Sequence, residues 1–144
     1  MAVLTVVLGM GMATFYLCWD NSKALLYTTD DIAAALHTGE RWRADVRSAT
    51  GKITVETTAA GELLQIPCGT NEVLYRFNAG EIRRQRASAN FSELLLPTVK
   101  SSQMAMDRRG SASAWRWELE LKSRRKETHL PLVFTFEAAA KTTP

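Results

Sequence analysis

The chain opens with nineteen residues that carry no charge, MAVLTVVLGMGMATFYLCW, and Asp20 follows them directly. An α-helix of that length spans about 28 Å, which approaches the roughly 30 Å thickness of a bilayer's hydrocarbon core. Tyr16 and Trp19 stand near one end, where the aromatic residues of membrane helices concentrate. We therefore expect residues 1–19 to form the transmembrane half of an N-terminal helix.

Two other interpretations of the opening run stay open. A cleaved secretion signal normally has a basic segment before its apolar core and small residues at its cleavage site. Here the first basic residue is Lys23, and no small-x-small pair follows the run. A buried core helix normally keeps a polar face, which this run lacks. Because nothing basic precedes the apolar run to orient it, we also expect further residues upstream of Met1.

Composition limits the protein to a few classes. The 144 residues suffice for one folded domain plus an anchor. The net charge of +3 is too small to indicate a nucleic-acid partner by itself. Two cysteines, Cys18 and Cys68, give neither a disulfide framework nor a metal-binding spacing, and we expect both to be free thiols.

A helical pattern continues after Asp20. Apolar residues recur at gaps of four and six, with charged residues between them, at Leu25, Leu26, Ile32, Leu36, Trp42 and Val46. We predict that residues 20–50 form the amphipathic half of the same helix, which ends near Ala49 because Gly51 can terminate it. Two separate amphipathic helices packed in an ordinary bundle are the alternative.

From Lys52 the period changes to the alternation of strands. Residues 51–137 contain six or seven short candidate strands, and residues 138–144 are a tail. In VLYRFNAGEIRRQ a hairpin is predicted with a three-residue turn at 78–80. The segment NFSELLL is either a short helix or a bridging loop. The strongest strand is WRWELELK, whose buried face consists of Trp115, Trp117, Leu119 and Leu121.

These elements predict an α+β fold. One long N-terminal helix precedes an antiparallel sheet domain, since successive hairpins without intervening helices disfavour a parallel sheet. We expect the helix to pack on one sheet face through a single apolar stripe, formed by Ile32, Leu36, Trp42 and Val46.

At this point the chain resembles type IV pilin-like proteins, and most closely a minor pseudopilin of a type II secretion system. The run MAVLTVVLGMGM is similar to the part of the pilin signature that follows its leader. RWRADVRSATG resembles the end of the pilin helix, and VLYRFNAGEIRRQ resembles a frequent pilin hairpin. The diagnostic basic leader and its glutamate are absent, so the resemblance assigns no peptidase site.

The resemblance implies a pilin-like fold and a single-pass protein of the bacterial inner membrane, with its C-terminal domain in the periplasm. It also implies a structural subunit that assembles through its N-terminal helix into a short pseudopilus for protein secretion. Its partners would be other pilin or pseudopilin subunits, inner-membrane lipid and secreted substrate proteins. Small residues such as Gly9, Gly11 and Ala13 would allow neighbouring helices to approach closely.

The sequence offers little for catalysis. His37 and His129 lie on different elements, without a cysteine or carboxylate at metal-ligand spacing. Glu118 and Glu120 share the wet face of a strand with Arg116, which favours solvated surface over a pair of catalytic carboxylates. Known nucleophile and phosphate-binding motifs are absent. We expect no catalytic residues, no metal and no cofactor.

Three basic clusters keep a second function open, that of an adhesive minor pilin or one that takes up DNA. Arginine and lysine clusters can contact phosphates, although solvated turns or subunit contacts are the commoner role. Nucleic acid is therefore an unfavoured partner. The clusters are Arg83, Arg84 and Arg86; Arg108 and Arg109; and Lys122, Arg124, Arg125 and Lys126.

Overall fold

The computed structural model of the chain describes residues 2–59, 61–109, 112–123 and 131–140, and within its helix the side chains at 12–20, 22–23 and 26–47. The helix, α1, spans Ala2–Arg47, and eight strands follow within the described ranges. The strands are β1 (Thr54–Thr58), β2 (Gly61–Cys68), β3 (Asn71–Asn78), β4 (Glu81–Arg86), β5 (Ser92–Leu96), β6 (Val99–Arg109), β7 (Ala112–Leu121) and β8 (Leu132–Ala139).

The strands form two antiparallel sheets. The five-stranded sheet has the order β1-β2-β3-β4-β5, and the three-stranded sheet has the order β6-β7-β8. Every pair of neighbours is consecutive in the chain, so each sheet is a meander. Pro97, which has no N–H group to donate, follows β5 directly. Val99 then begins β6, and its N–H bonds the carbonyl of Gly80 (2.8 Å).

The predicted fold class is wrong. The sequence patterns indicated a long transmembrane helix on one antiparallel sheet of pilin-like design. The structure is a mixed α+β chain dominated by two sheets, and the described side chains of α1 contain no long apolar stretch. Alternation in a sequence shows that a strand exists and which face it buries, but it does not show which strand lies beside it.

The predicted membrane localisation is also overturned. In the part of the chain that the structure describes, no helix combines the length and the apolar character that a bilayer crossing requires. The described portion of residues 1–19 includes the side chains from Met12 onward, and all of these are exposed.

The bounds of several elements differ from the predictions. The helix ends at Arg47, before Ala49, because the N–H of Thr50 turns away to bond the carbonyl of Pro67 (2.8 Å). The segment read as a short helix or loop contains strand β5, whose register is fixed by β4. Strand β8 continues through Ala139 into the predicted tail, and residues 141–144 lie outside the described residues.

The β3–β4 hairpin has a two-residue turn. Asn78 pairs with Glu81, so only Ala79 and Gly80 lie between the strands. Both have positive φ angles, 52° and 80°, as a type I′ turn requires. The sequence predicted three turn residues, because the asparagine that closes the ladder looks like part of the turn.

Aromatic side chains from α1 and from both sheets meet at the centre of the core. Trp117 on β7 has ring neighbours at centroid distances of 5.6 Å (Trp42 of α1), 6.2 Å (Tyr75 of β3) and 5.7 Å (Phe136 of β8). Burial on β7 confirms the predicted inward face of that strand. The helix therefore lies against both sheets at once.

Only half of the predicted helix stripe packs on the sheets. Trp42 and Val46 are fully buried, whereas Ile32 is half-buried and Leu36 remains 49% exposed. The face that does pack is made largely of small residues and Trp42: Ala35, Thr38, Gly39, Trp42 and Val46. The predicted stripe joined apolar residues at gaps of four and six positions. Residues six positions apart point in different directions on a helix, so the stripe did not lie on one face.

Candidate assembly surface on the N-terminal helix

A buried ion pair fixes the end of α1 to the five-stranded sheet. Arg84 of β4 donates from Nε to Asp45 Oδ2 (2.8 Å) and from Nη2 to Oδ1 (3.0 Å). The Tyr75 hydroxyl donates to the same Oδ2 (2.6 Å). Arg84 is 5% exposed and Tyr75 is completely buried. A two-point guanidinium–carboxylate contact fixes orientation as well as position, so the helix cannot rotate freely about its axis here.

The pKa values of this cluster reflect the contact. Burial raises the pKa of the Tyr75 phenol, and the Asp45 carboxylate raises it further. The hydrogen bond to Asp45 raises the pKa of the Arg84 guanidinium in spite of its burial. Both groups therefore keep their protons, and the cluster acts as a structural clamp instead of a proton donor.

A close contact fixes the helix to the three-stranded sheet. A Cβ atom added at Gly39 would overlap the ring of Phe136, so this position needs a glycine. The guanidinium carbon of Arg43 lies 5.5 Å from the centroid of the same ring. A third contact joins α1 to β5 of the five-stranded sheet. Arg41 Nη1 donates to Glu93 Oε1 (2.8 Å), and this hydrogen bond lowers the pKa of the Glu93 carboxyl. Three independent contacts therefore fix the last third of α1.

The preceding part of the helix lies outside the packed core. No described residue from Met12 to Ala34 is buried, and most are exposed. At 1.5 Å per residue, the segment from residue 12 to residue 30 alone is about 27 Å long. Its exposed large hydrophobic side chains are Met12, Phe15, Tyr16, Leu17, Trp19, Leu26 and Tyr27.

Many of the exposed side chains follow a seven-residue repeat. Met12, Trp19 and Leu26 are spaced by seven, and Phe15 and Leu36 occupy the second position of the same repeat. We call the whole set of repeat positions the exposed seam. Its members, all exposed, are Met12, Phe15, Trp19, Ser22, Leu26, Thr29, Ala33 and Leu36.

The exposed seam faces away from the sheets. On a helix with 3.6 residues per turn its centre lies roughly 160° from the face that holds Ala35, Gly39 and Trp42. The sheets of the same chain therefore cannot cover it. This direction explains why Leu36, predicted in the core, is exposed although its neighbour Ala35 is completely buried.

Contacts among neighbouring side chains order the aromatic part of the exposed seam. The rings of Phe15 and Trp19 stack at a centroid distance of 6.0 Å, four residues apart. The Lys23 ammonium lies 5.3 Å from the centroid of the Trp19 ring. The aromatic surface is thus partly organised before any partner binds, which reduces the entropy lost on association.

The structure divides the basic clusters. Arg84 is buried against Asp45, and Arg83 is paired with Glu81 (3.0 Å), so the first cluster is not a continuous cationic surface. Arg108 lies near the end of β6, whereas Lys122 follows the end of β7. Residues 124–126 lie outside the described residues. Of the predicted basic residues, Arg84 is therefore the one that its buried ion pair withholds from a phosphate.

The other candidate residues do not converge either. His37 is exposed on α1, and His129 lies outside the described residues. Glu118 pairs with Arg116 (2.6 Å), whereas Glu120 pairs with Lys100 (2.7 Å), so each carboxylate has its own cation. Cys18 and Cys68 are free thiols, as predicted. Among the described residues, no group of histidine, cysteine and carboxylate side chains could hold a metal ion.

Sequence reasoning missed both the exposed seam and the clamp. The seam has a local signal, the spacing of seven between Met12, Trp19 and Leu26, which the uncharged composition of residues 1–19 obscured. The clamp has no local signal in the sequence, because Asp45 and Arg84 are 39 positions apart and each looks like an ordinary surface charge.

Comparison of the chain with protein-family models, with curated proteins and with solved structures found no match.

Proposed function

We propose that this chain is a structural subunit of a secretion or pilus machine, of the minor-pseudopilin kind, which assembles with neighbouring subunits through its N-terminal helix. The exposed seam is the observation that carries the proposal. Apolar surface left in water costs roughly 25 cal/mol per Å², and contiguous patches of this kind mark interaction sites. The local resemblance of MAVLTVVLGMGM to the pilin signature supports the same role.

The anchoring of the helix suits a subunit of this type. Because Asp45 and Gly39 fix the last third of α1 to both sheets, the first part is presented in a set direction. Subunits that pack through such helices would place their sheets on the outside, where secreted substrates could contact them. The role is structural and not catalytic, and its partners are other subunits of the machine.

The test compares two glutamate substitutions on the same exposed segment. Trp19→Glu puts a charge in the centre of the exposed seam. Leu17→Glu puts the same charge on a side chain that is 72% exposed but outside the seam. Sedimentation velocity over a concentration series should show assembly of the wild-type chain and of Leu17→Glu, with at least a tenfold weaker association for Trp19→Glu.

The secretion role has its own measurement. In cells that produce this chain, replacement by Trp19→Glu should lower the amount of protein exported to the medium, and replacement by Leu17→Glu should not. Equal assembly of the two variants would refute the proposed role of the helix. Weaker assembly of Trp19→Glu with unchanged export would instead refute the link to secretion.

A further inference from the structure

We propose that the exposed seam binds the same seam of a second copy of this chain, in an antiparallel pair related by a two-fold axis that passes near residues 27 and 28. In this pair Lys23 of each copy faces Asp30 of the other. The inference rests on the proposed assembly through the helix and specifies one contact of that assembly, a symmetric dimer; because this pair uses the exposed seam of both copies, contacts with further subunits would involve other surfaces of the chain.

The spacing of the exposed seam is that of a coiled coil. Its residues occupy the first and fourth positions of a seven-residue repeat, named a and d, over three to four repeats. A strict repeat of seven on a helix of 3.6 residues per turn drifts backwards by about 20° per repeat, so two such seams stay in contact by winding left-handedly. Met12, Trp19, Leu26 and Ala33 are at a, and Phe15, Ser22, Thr29 and Leu36 are at d.

An antiparallel register places a layer of small side chains beside the layer of the largest ones. Ser22 of one copy and Ala33 of the other form the next layer towards the axis. Their small side chains leave space beside the bulky Trp19 ring. Alternation of large and small side chains is the arrangement that fills the space between helices. Each layer occurs twice by symmetry. With the axis near residues 27 and 28, the facing pairs are Trp19 with Leu36, Ser22 with Ala33, and Leu26 with Thr29.

The polar members of the exposed seam do not oppose this pairing. A serine or threonine hydroxyl on a helix can donate to the backbone carbonyl of the residue four positions earlier. Ser22 and Thr29 can therefore satisfy their hydroxyl groups within their own helix when the second copy covers them.

Charge complementarity decides the direction of the pair. The positions that flank d, named e, hold Tyr16, Lys23, Asp30 and His37, and all four are exposed. In an antiparallel pair the e positions of the two helices lie side by side, and the stated register places Lys23 opposite Asp30 twice. In a parallel pair Lys23 would instead face Cys18, and no flanking pair in residues 12–37 would join opposite charges.

The anchoring of the helix leaves room for this dimer. The packed face and the exposed seam lie on opposite sides of α1, so the sheets of each copy project outward from the pair. In the same register Trp19 lies beside Leu36 of the second copy, Phe15 opposite Glu40, which is exposed, and Met12 opposite Arg43, which is half-buried. A closed two-fold interface also covers the apolar surface of both copies equally.

The first experiment maps the pair directly. A water-soluble carbodiimide joins a lysine amine to a carboxylate with loss of water, and it requires direct contact. A mixture of unlabelled and heavy-isotope-labelled chain, treated with this reagent, should give a mixed-label peptide that joins Lys23 to Asp30. In a Cys68→Ser background, a short bis-maleimide should leave Cys18 of the two copies unlinked, since the register separates them by about 28 Å.

The second experiment exchanges the charges. Lys23→Glu and Asp30→Lys should each weaken the dimer about tenfold at low salt, because each creates two like-charge contacts. The double variant restores opposite charges in the antiparallel pair and should return to within about threefold of the wild type. Helix content by circular dichroism verifies that each variant is folded.

The outcomes separate this inference from the proposed function. Failure of the double variant to recover, or a Cys18–Cys18 link, would overturn the antiparallel pair while Trp19→Glu still abolished assembly. Equal assembly of Trp19→Glu and Leu17→Glu would refute both. Binding of the chain to neutral phosphatidylcholine vesicles without any dimer, or to another helix only, would also overturn the second copy as the occupant of the exposed seam.

Discussion

At the scale of single residues, the Asp45–Arg84–Tyr75 clamp is the most consequential feature. A charged pair buried from water contributes to stability only when both partners and their hydrogen bonds are complete. Here the carboxylate accepts three hydrogen bonds, two from the guanidinium and one from the phenol. The clamp joins α1 to β3 and β4, so its loss changes the position of the helix as well as the stability of the chain.

We predict that Arg84→Met lowers the free energy of unfolding by about 3–5 kcal/mol, because it leaves the Asp45 carboxylate partly buried with only Tyr75 beside it. The measurement is urea unfolding followed by circular dichroism. Arg83→Met is the matched control, since Arg83 is the adjacent residue, is exposed, and is paired with Glu81 at the surface. It should cost less than about 1 kcal/mol. Similar losses in the two variants would contradict the clamp.

At the scale of elements, close approach decides how the helix meets the three-stranded sheet. Glycine inside a helix is normally unfavourable by up to about 1 kcal/mol relative to alanine. Gly39 is retained because its missing side chain makes space for Phe136. No local pattern in the sequence identifies this contact, because Phe136 of β8 lies almost one hundred residues later in the chain.

We predict that Gly39→Ala lowers the free energy of unfolding by about 1–3 kcal/mol, although alanine favours the helix, because the added methyl group forces the helix away from the Phe136 ring. Thermal or urea unfolding measures the effect. The double variant Gly39→Ala/Phe136→Leu should lose less than the sum of the two single variants, since the smaller side chain makes room for the methyl group. Strict additivity would show that the contact does not limit the approach.

At the scale of the whole molecule, Glu62 links the two sheets. Both oxygens of its carboxylate accept the N–H of Met104, at 3.1 Å each, so β2 of one sheet satisfies a backbone donor at the edge of β6 in the other. Burial raises the pKa of the carboxyl above its ordinary 4.5, and the backbone hydrogen bond opposes this rise. The joint between the sheets therefore includes a carboxylate whose charge is unfavourable.

We predict that this joint is more stable in acid. Since the folded chain holds the Glu62 proton more tightly than the unfolded chain, its contribution to stability is complete below about pH 4.5 and is lost as the pH rises through the folded pKa. Glu62→Gln keeps an acceptor for Met104 and should remove that loss. Its unfolding free energy, relative to that of the wild type, should rise as the pH increases from about 4.5 through the folded pKa of Glu62, roughly as a single titration.

The control for this prediction is Glu56→Gln, a neutralisation at an exposed position of β1. Because Glu56 is exposed, this substitution should change the free energy of unfolding by less than about 0.5 kcal/mol at neutral pH. A Glu62→Gln curve that stays parallel to that of the wild type across this range would mean that the carboxylate of Glu62 is not strained by burial.

Local patterns in the sequence determined the elements and several faces. Strict alternation in WRWELELK is enough to predict strand β7 and the burial of Trp117, because the side chains of a strand point to opposite faces at every step. The spacing of seven from Met12 to Leu26 likewise puts these residues on one side of a helix. Each of these features depends on neighbours within a few positions of the chain.

Only the tertiary structure decided how the elements combine. The division into two sheets, the clamp between Asp45 and Arg84, and the contact of Gly39 with Phe136 all join residues far apart in the chain. Partner choice at such distances depends on the shape and charge of the assembled surfaces, and local periodicity carries no information about it. For the same physical reason the sequence placed Leu36 in the core: only the position of the sheets shows which side of the helix is left uncovered.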